Sequence, residues 1–136
     1  MIDTGDTGFM MICSALVLLM TPGLAFFYGG MVRRKNVVNT MMTSIFVIGI
    51  ATVMWVLFGY SLAFGVDHLG IIGDLSHLGL VGLTGKVGEY ASTIPDLGFA
   101  MFQMMFAIIT PALITGAVAG RMKFKALFLF IIFWST

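Results

Sequence analysis

The sequence predicts an all-α integral membrane protein: a bundle of transmembrane helices with three complete spans and a truncated fourth. Three observations predict it. The 136 residues are 60% hydrophobic and 10% charged, with a mean hydropathy of +1.08, whereas soluble domains carry about 25% charged residues. Too little polar surface remains to coat a globule in water, so lipid is the solvent for most of the chain. The charges are gathered into short clusters that separate long uncharged runs. Those runs have the length of a bilayer crossing.

The first run, from Phe9 to Val32, has no charged side chain. As a helix it reaches roughly 36 Å, against a hydrocarbon core of about 30 Å, so a span is expected over 9–32. Asp3 and Asp6 precede it in place of the lysine or arginine of a secretory signal, and it outruns a signal's apolar region of about 7–15 residues. It is therefore expected to be retained. Uncharged runs from Asn36 to Val66 and from Leu97 to Gly120 predict spans over 37–65 and 97–120. The run that follows Lys125 and reaches Thr136 would cover about 17 Å, half a bilayer, and is expected as a truncated helix over 126–136. Between spans two and three, residues 66–96 are richer in glycine and contain both histidines, which predicts an extracellular loop with room for a short interfacial helix. With no repeat, low-complexity tract or soluble segment, residues 1–136 read as one membrane domain.

All six acids (Asp3, Asp6, Asp67, Asp74, Glu89 and Asp96) fall before the first span or between the second and third. Six of the seven bases (Arg33, Arg34, Lys35, Arg121, Lys123 and Lys125) fall between spans one and two or three and four. Short loops rich in lysine and arginine stay in the cytoplasm, so a multi-pass protein of the cell (plasma) membrane is expected, with its amino terminus outside. The net charge of +1 points to no acidic or basic partner class. Cys13, the single cysteine, excludes an internal disulfide and a cysteine metal cluster, and reads as a small buried residue.

Within the spans, Pro22 and Pro111 are expected at bends, which membrane helices tolerate because neighbours satisfy the freed carbonyls. Ala112, Gly116 and Gly120 recur every four residues and form a narrow face for close helix approach, as do Gly59 and Ala63. In "PDLGFAMFQMMFAIITPALITG", residues Phe99, Phe102, Gln103, Phe106 and Thr110 share one side of a helix. On pattern alone, a phenylalanine stripe in a membrane helix reads as lipid-facing or core packing and not as a site. Gln103 changes that reading, because an amide in hydrocarbon costs free energy unless it finds partners. Two rings flanking an amide on a side turned toward protein or water would attract a small cation through their faces.

The three spans contain no Asp, Glu, Lys, Arg or His, which argues against a relay of ionisable groups. His68 and His77, nine apart in a loop with no third ligand in register, do not suggest a metal site. No phosphate loop, no nucleophile paired with a base and no basic patch interleaved with aromatics is present. Neither an enzyme, a cofactor nor a nucleic-acid partner is expected.

The stretches "ALVLLMTPGLAFFYGGMVRRKNVVNTMM", "WVLFGYSLAFG" and "MFQMMFAIITPALITGAVAGRMKF" closely resemble, in order, the first three spans of the ammonium transporter (Amt/Mep/Rh) family. The resemblance implies an eleven-span fold built from inverted repeats, assembled as a homotrimer with a pore in each subunit, with ammonium or ammonia as substrate and the lipid bilayer as surroundings. Phe106 matches the gate phenylalanine of the third span, Phe102 the aromatic lining the outer recruitment site, and Gln103 the glutamine between them. Leu24, Phe27 and Tyr28 match residues near the cytoplasmic mouth of the pore. The cytoplasmic turn Arg33, Arg34, Lys35 lies on the face where a regulatory protein of the PII class docks in many bacterial members. The pore histidines, the outer-site tryptophan and serine, the second gate phenylalanine and the buried aspartate of the family match no residue here, and Trp134 matches a different tryptophan. The chain is thus expected to be an amino-terminal fragment of an ammonium channel. The alternative is a non-transporting membrane subunit or dominant-negative partner of a full-length transporter.

Overall fold

A backbone in hydrocarbon must pair its polar groups internally, and the uncharged runs do so as helices. The computed structural model describes residues 1–68, 70–83, 87–88 and 90–136. Helix α1, Thr4–Met31, begins ahead of the expected Phe9 because Asp3 caps it. The Asp3 carboxylate accepts the amides of Gly5 and Asp6 at 2.8 and 2.9 Å, and Asp6 in the first turn suits the positive end of the helix. One 3₁₀ turn, Arg34–Asn36, leads into α2, Val37–Met54. A π turn, Trp55–Gly59, then joins α2 to α3, Tyr60–Phe64, and the three pieces make the second span. Helix α4, Asp96–Val118, is the third span, and α5, Phe124–Ser135, is a shorter apolar helix. Pro22 and Pro111 lie inside α1 and α4.

Between α3 and α4 the chain forms a two-stranded antiparallel hairpin, β1 (Asp67–His68) with β2 (Ile72–Gly73), in which Asp67 pairs with Gly73 and His68 with Ile72. A 3₁₀ turn, Leu78–Leu80, stands where a short interfacial helix was expected. Glu89 lies outside the described residues.

Helices α1, α2 and α4 pack on one another as a three-helix core. The Asp3 amide donates to the Thr93 carbonyl at 2.9 Å, joining the start of α1 to the segment before α4. A Cβ on Gly120 would lie 3.4 Å from Asn36 Nδ2, so the far end of α4 meets the α1–α2 turn. Helices α1 and α4 therefore run in one direction and α2 in the other. This collects Arg33, Arg34, Lys35, Arg121, Lys123 and Lys125 at one end and Asp3, Asp6, Asp67, Asp74 and Asp96 at the other, as the charge pattern predicted. Val47, Ala112, Leu127 and Ile131 fill the core toward the basic end, and Ala51, Met105 and Ile108 continue it toward the acidic end. Between α2 and α4 the fully buried Ser44 and Thr115 hydroxyls lie 3.3 Å apart. Cys13 is half-buried, less enclosed than its small size suggested, on the first half of α1, ahead of the buried residues Thr21, Ala25 and Gly29.

Asp74 organises the hairpin. Its carboxylate accepts the Val66 and Ser76 amides, each at 3.1 Å, and the Ser76 hydroxyl at 2.5 Å, while its carbonyl accepts the Ser61 hydroxyl at 2.8 Å. Gly73 is required beside it, since a Cβ there would lie 2.7 Å from the carbonyl oxygens of Ser61 and Leu62 at the end of α3. The hydrogen bonds from Ser76, with smaller help from Val66 and nearby His68, hold the carboxyl below the ordinary carboxylate range. A carboxyl depressed by folding stabilises the hairpin above its unfolded pKa and loses that contribution as pH falls through the lowered folded value. Protection of the Val66 and Ser76 amides, taken relative to their intrinsic exchange rates at each pH, is accordingly expected to fall on acidification through that range, and Asp74→Asn should show the reduced protection already at neutral pH with no further acid step.

Candidate functional site

Rotation of α4 decides what this chain presents. Ala100, Met105, Ile108, Ile109, Ala112 and Thr115 are buried against α1, α2 and α5. At 100° per residue, the stripe of Phe102, Gln103, Phe106 and Thr110 must then point to the opposite side. Phe106 is 41% exposed. Phe102 and Phe106 meet edge to face, with centroids 5.1 Å apart and planes at 79°, a geometry that adds about 0.5–1.5 kcal/mol to simple burial. The Thr110 hydroxyl donates to the Phe106 carbonyl at 2.7 Å, which hides its polarity within the helix. The Gln103 amide, half-buried between the two rings in sequence, makes no hydrogen bond among the described residues.

The upper end of the stripe is covered by protein. Phe99 does not continue the open side: Tyr90 stacks on it at 5.8 Å and 8°, and Phe64 meets it edge-on at 5.3 Å. Both belong to an aromatic cluster with Trp55 and Tyr60, packed around Leu83 and Ala100. The Trp55 indole donates to the Ala100 carbonyl at 3.1 Å, tying the π turn to α4 just above Phe102. A Cβ on Gly59 would lie 3.3 Å from both the Met54 carbonyl oxygen and the Trp55 ring. Sequence reasoning missed this contact. Its available signal was an indole inside an apolar run, whose N–H needs a partner.

At the basic end, α1 brings Tyr28 to the edge of the same side of α4. Its hydroxyl donates to the Leu113 carbonyl at 2.9 Å, and its ring fills the notch left by Gly116, where any Cβ would collide with it. Gly116 thus serves the close approach that the four-residue spacing predicted. Phe27, 60% exposed, sits 5.8 Å from Tyr28, and the two rings border a groove that continues past Ala117 to Arg121. Leu24 does not join this groove. It packs against the core cluster of Val47, Ala112, Leu127 and Ile131, one turn away from Tyr28 on α1. Arg33, Arg34 and Lys35 are exposed on the turn beyond the groove.

The profile of the Ammonium Transporter Family matches residues 8–136. The chain belongs to this family. It is 53% identical over 132 residues to the ammonium transporter of Bacillus subtilis, with 97% of this chain and 32% of that protein covered. The ammonium transporter of Mycobacterium tuberculosis is 51% identical over 149 residues, covering 98% of this chain and 31% of its own length. Among solved structures, Candida albicans Mep2 superposes with a TM-score of 0.87 at 28% identity over 98% of this chain, and Saccharomyces cerevisiae Mep2 with 0.86 at 29% over 98%. Those matches cover 29% and 32% of the two Mep2 chains. The chain therefore spans about a third of the length of the curated relatives it matches. Family membership and three apolar helices long enough to cross a bilayer make it a multi-pass membrane protein.

The Tyr28–Gly116 contact yields a direct test. Gly116→Val should cost about 1–3 kcal/mol by overpacking, read as a lower unfolding temperature in detergent, and adding Tyr28→Ala should recover part of that loss.

Proposed function

We propose that the chain supplies the first helices of a conduit for ammonium or ammonia, with the Phe102–Gln103–Phe106 side of α4 as its wall. The observation that carries this reading is the orientation of the amide. Gln103 is turned away from the three-helix core, at a depth where an unpartnered amide against acyl chains is costly. The side it occupies is thus one that other protein or water must cover. In an eleven-span chain of the family, later spans are the natural cover. Phe106 then serves as a gate, Phe102 lines the outer recruitment site, and the groove at Phe27 and Tyr28 lies near the inner mouth.

The same reading places the acidic end outside the cell membrane and the basic end in the cytoplasm, because short basic loops set orientation. It takes the assembled protein as a homotrimer and puts Arg33, Arg34 and Lys35 on the face where a PII-class regulator docks. No chemical conversion of the substrate is part of it, since the spans offer no nucleophile paired with a base.

The test is Phe106→Ala in a family-length chain carrying this segment, followed by methylammonium uptake. A ring face attracts a desolvated cation by about 1–2 kcal/mol, which corresponds to a change of roughly 5- to 30-fold in uptake or in selectivity between ammonium and potassium. Membrane insertion and yield should remain at the level of the parent chain. Unchanged uptake by a correctly inserted variant would remove Phe106 from the path.

A further inference from the structure

Toward the basic end, between α2, the end of α4 and the start of α5, lies a narrow cavity of about 30 Å³. Its walls carry more polarity than a membrane interior ordinarily holds: Asn39, Thr40 and Thr43 from α2, and Thr115 from α4, with Leu127 of α5 closing the apolar side. Two of these side chains have their hydrogen bonds assigned. The Thr43 hydroxyl donates to the Asn39 carbonyl at 2.8 Å, and the Thr115 hydroxyl donates to the Ala112 carbonyl at 2.7 Å. Thr40 differs. It is 4% exposed, it borders the cavity, and its hydroxyl makes no hydrogen bond among the described residues. The enclosed hydroxyls of Thr21 and Ser135 lack partners too, but neither residue borders this cavity.

We propose that this cavity is a built-in water site, in which one ordered water accepts the Thr40 hydroxyl proton and donates to the oxygen of Thr115 or to the Asn39 carboxamide. The space suffices, because a water needs roughly 10–15 Å³ of such volume and two to four polar partners. Its occupant is neutral. A cation would face Arg33, Arg34, Lys35, Arg121, Lys123 and Lys125, which gather at this end with no acid among the described residues there. An anion would face the negative, carbonyl end of α4. Through Thr115 the water adds a second polar link between α2 and α4 beside the direct Ser44–Thr115 contact.

X-ray radiolytic labelling of the purified chain in lipid nanodiscs tests the site, with Leu127 as reporter. Leu127 is 5% exposed, so bulk solvent does not reach it, and label there must come from water held inside. The proposal expects Leu127 to be labelled in the parent chain, and to incorporate the oxygen of pre-bound water immediately after dilution into H₂¹⁸O. Thr40→Val should abolish that label while exposed Met122 keeps its own, and Thr40→Ser should retain it. A parent chain unlabelled at Leu127, or a label that survives in folded Thr40→Val, overturns the proposal. If Thr40→Val does not fold, the isotope result on the parent chain decides: slow exchange supports a held water and immediate exchange refutes it.

Discussion

The close approach of α1 and α2 to a single side of α4 governs everything else in this structure. Lipid tails are as apolar as leucine, so helices in a membrane gain little from hydrophobic burial and depend on backbone proximity and interhelical hydrogen bonds. Small residues supply the proximity. Ala25 and Gly29 on α1, Ser44 and Ala51 on α2, and Ala100 and Ala112 on α4 are all buried at the contacts. The Tyr28 hydroxyl on Leu113 and the Ser44–Thr115 pair supply polar bonds at one level, and the Trp55 indole on Ala100 supplies one at another. Once these contacts set the rotation of α4, the phenylalanine and glutamine stripe has no other direction to take.

The two ends of the bundle are finished differently, and each finish follows from its solvent. At the acidic end an aromatic cluster of Trp55, Tyr60, Phe64, Tyr90 and Phe99 is capped by a hairpin that Asp74 holds together. Such amphipathic rings suit the boundary between hydrocarbon and water. At the basic end the aromatic contacts among the described residues are smaller groups, Phe46 with Phe124 and Phe128, and Phe27 with Tyr28. Short turns carry the charges, and hydroxyl and amide groups of α2 and α4 line the small cavity beneath them. Asymmetry of this kind leaves the upper part of the stripe covered at Phe99 while Phe106 stays open.

Much of the architecture was legible because a bilayer simplifies the problem. Uncharged length alone located α1, the second span and α4, and charge segregation alone sorted their ends. The start of α1 at Thr4 was missed because a capping aspartate extends a helix beyond its apolar run, which hydropathy does not register. The π turn at Trp55–Gly59 was invisible for a related reason: it changes the register of a helix without changing its composition. For the candidate site, spacing correctly grouped Phe102, Gln103, Phe106 and Thr110 on one side. Phe99 lies on that side too, and its cover, Tyr90, comes from a loop no periodicity connects to α4. Leu24 shares a face of α1 with Phe27 and Tyr28, but one turn nearer the middle of the bundle that face meets the core cluster of Val47, Ala112, Leu127 and Ile131 in place of the groove.

The orientation of Gln103 in an intact bilayer is the quantity on which the functional reading turns. It is measured most directly by a nitroxide at position 103 of a family-length chain, with molecular oxygen as the collision partner and a spin-labelled lipid at the same depth as reference. Oxygen concentrates among acyl chains. The account predicts an accessibility well below the lipid reference, as for a side chain facing a protein-lined path. An accessibility equal to that of the lipid would mean that this side of α4 faces the membrane, and would contradict it.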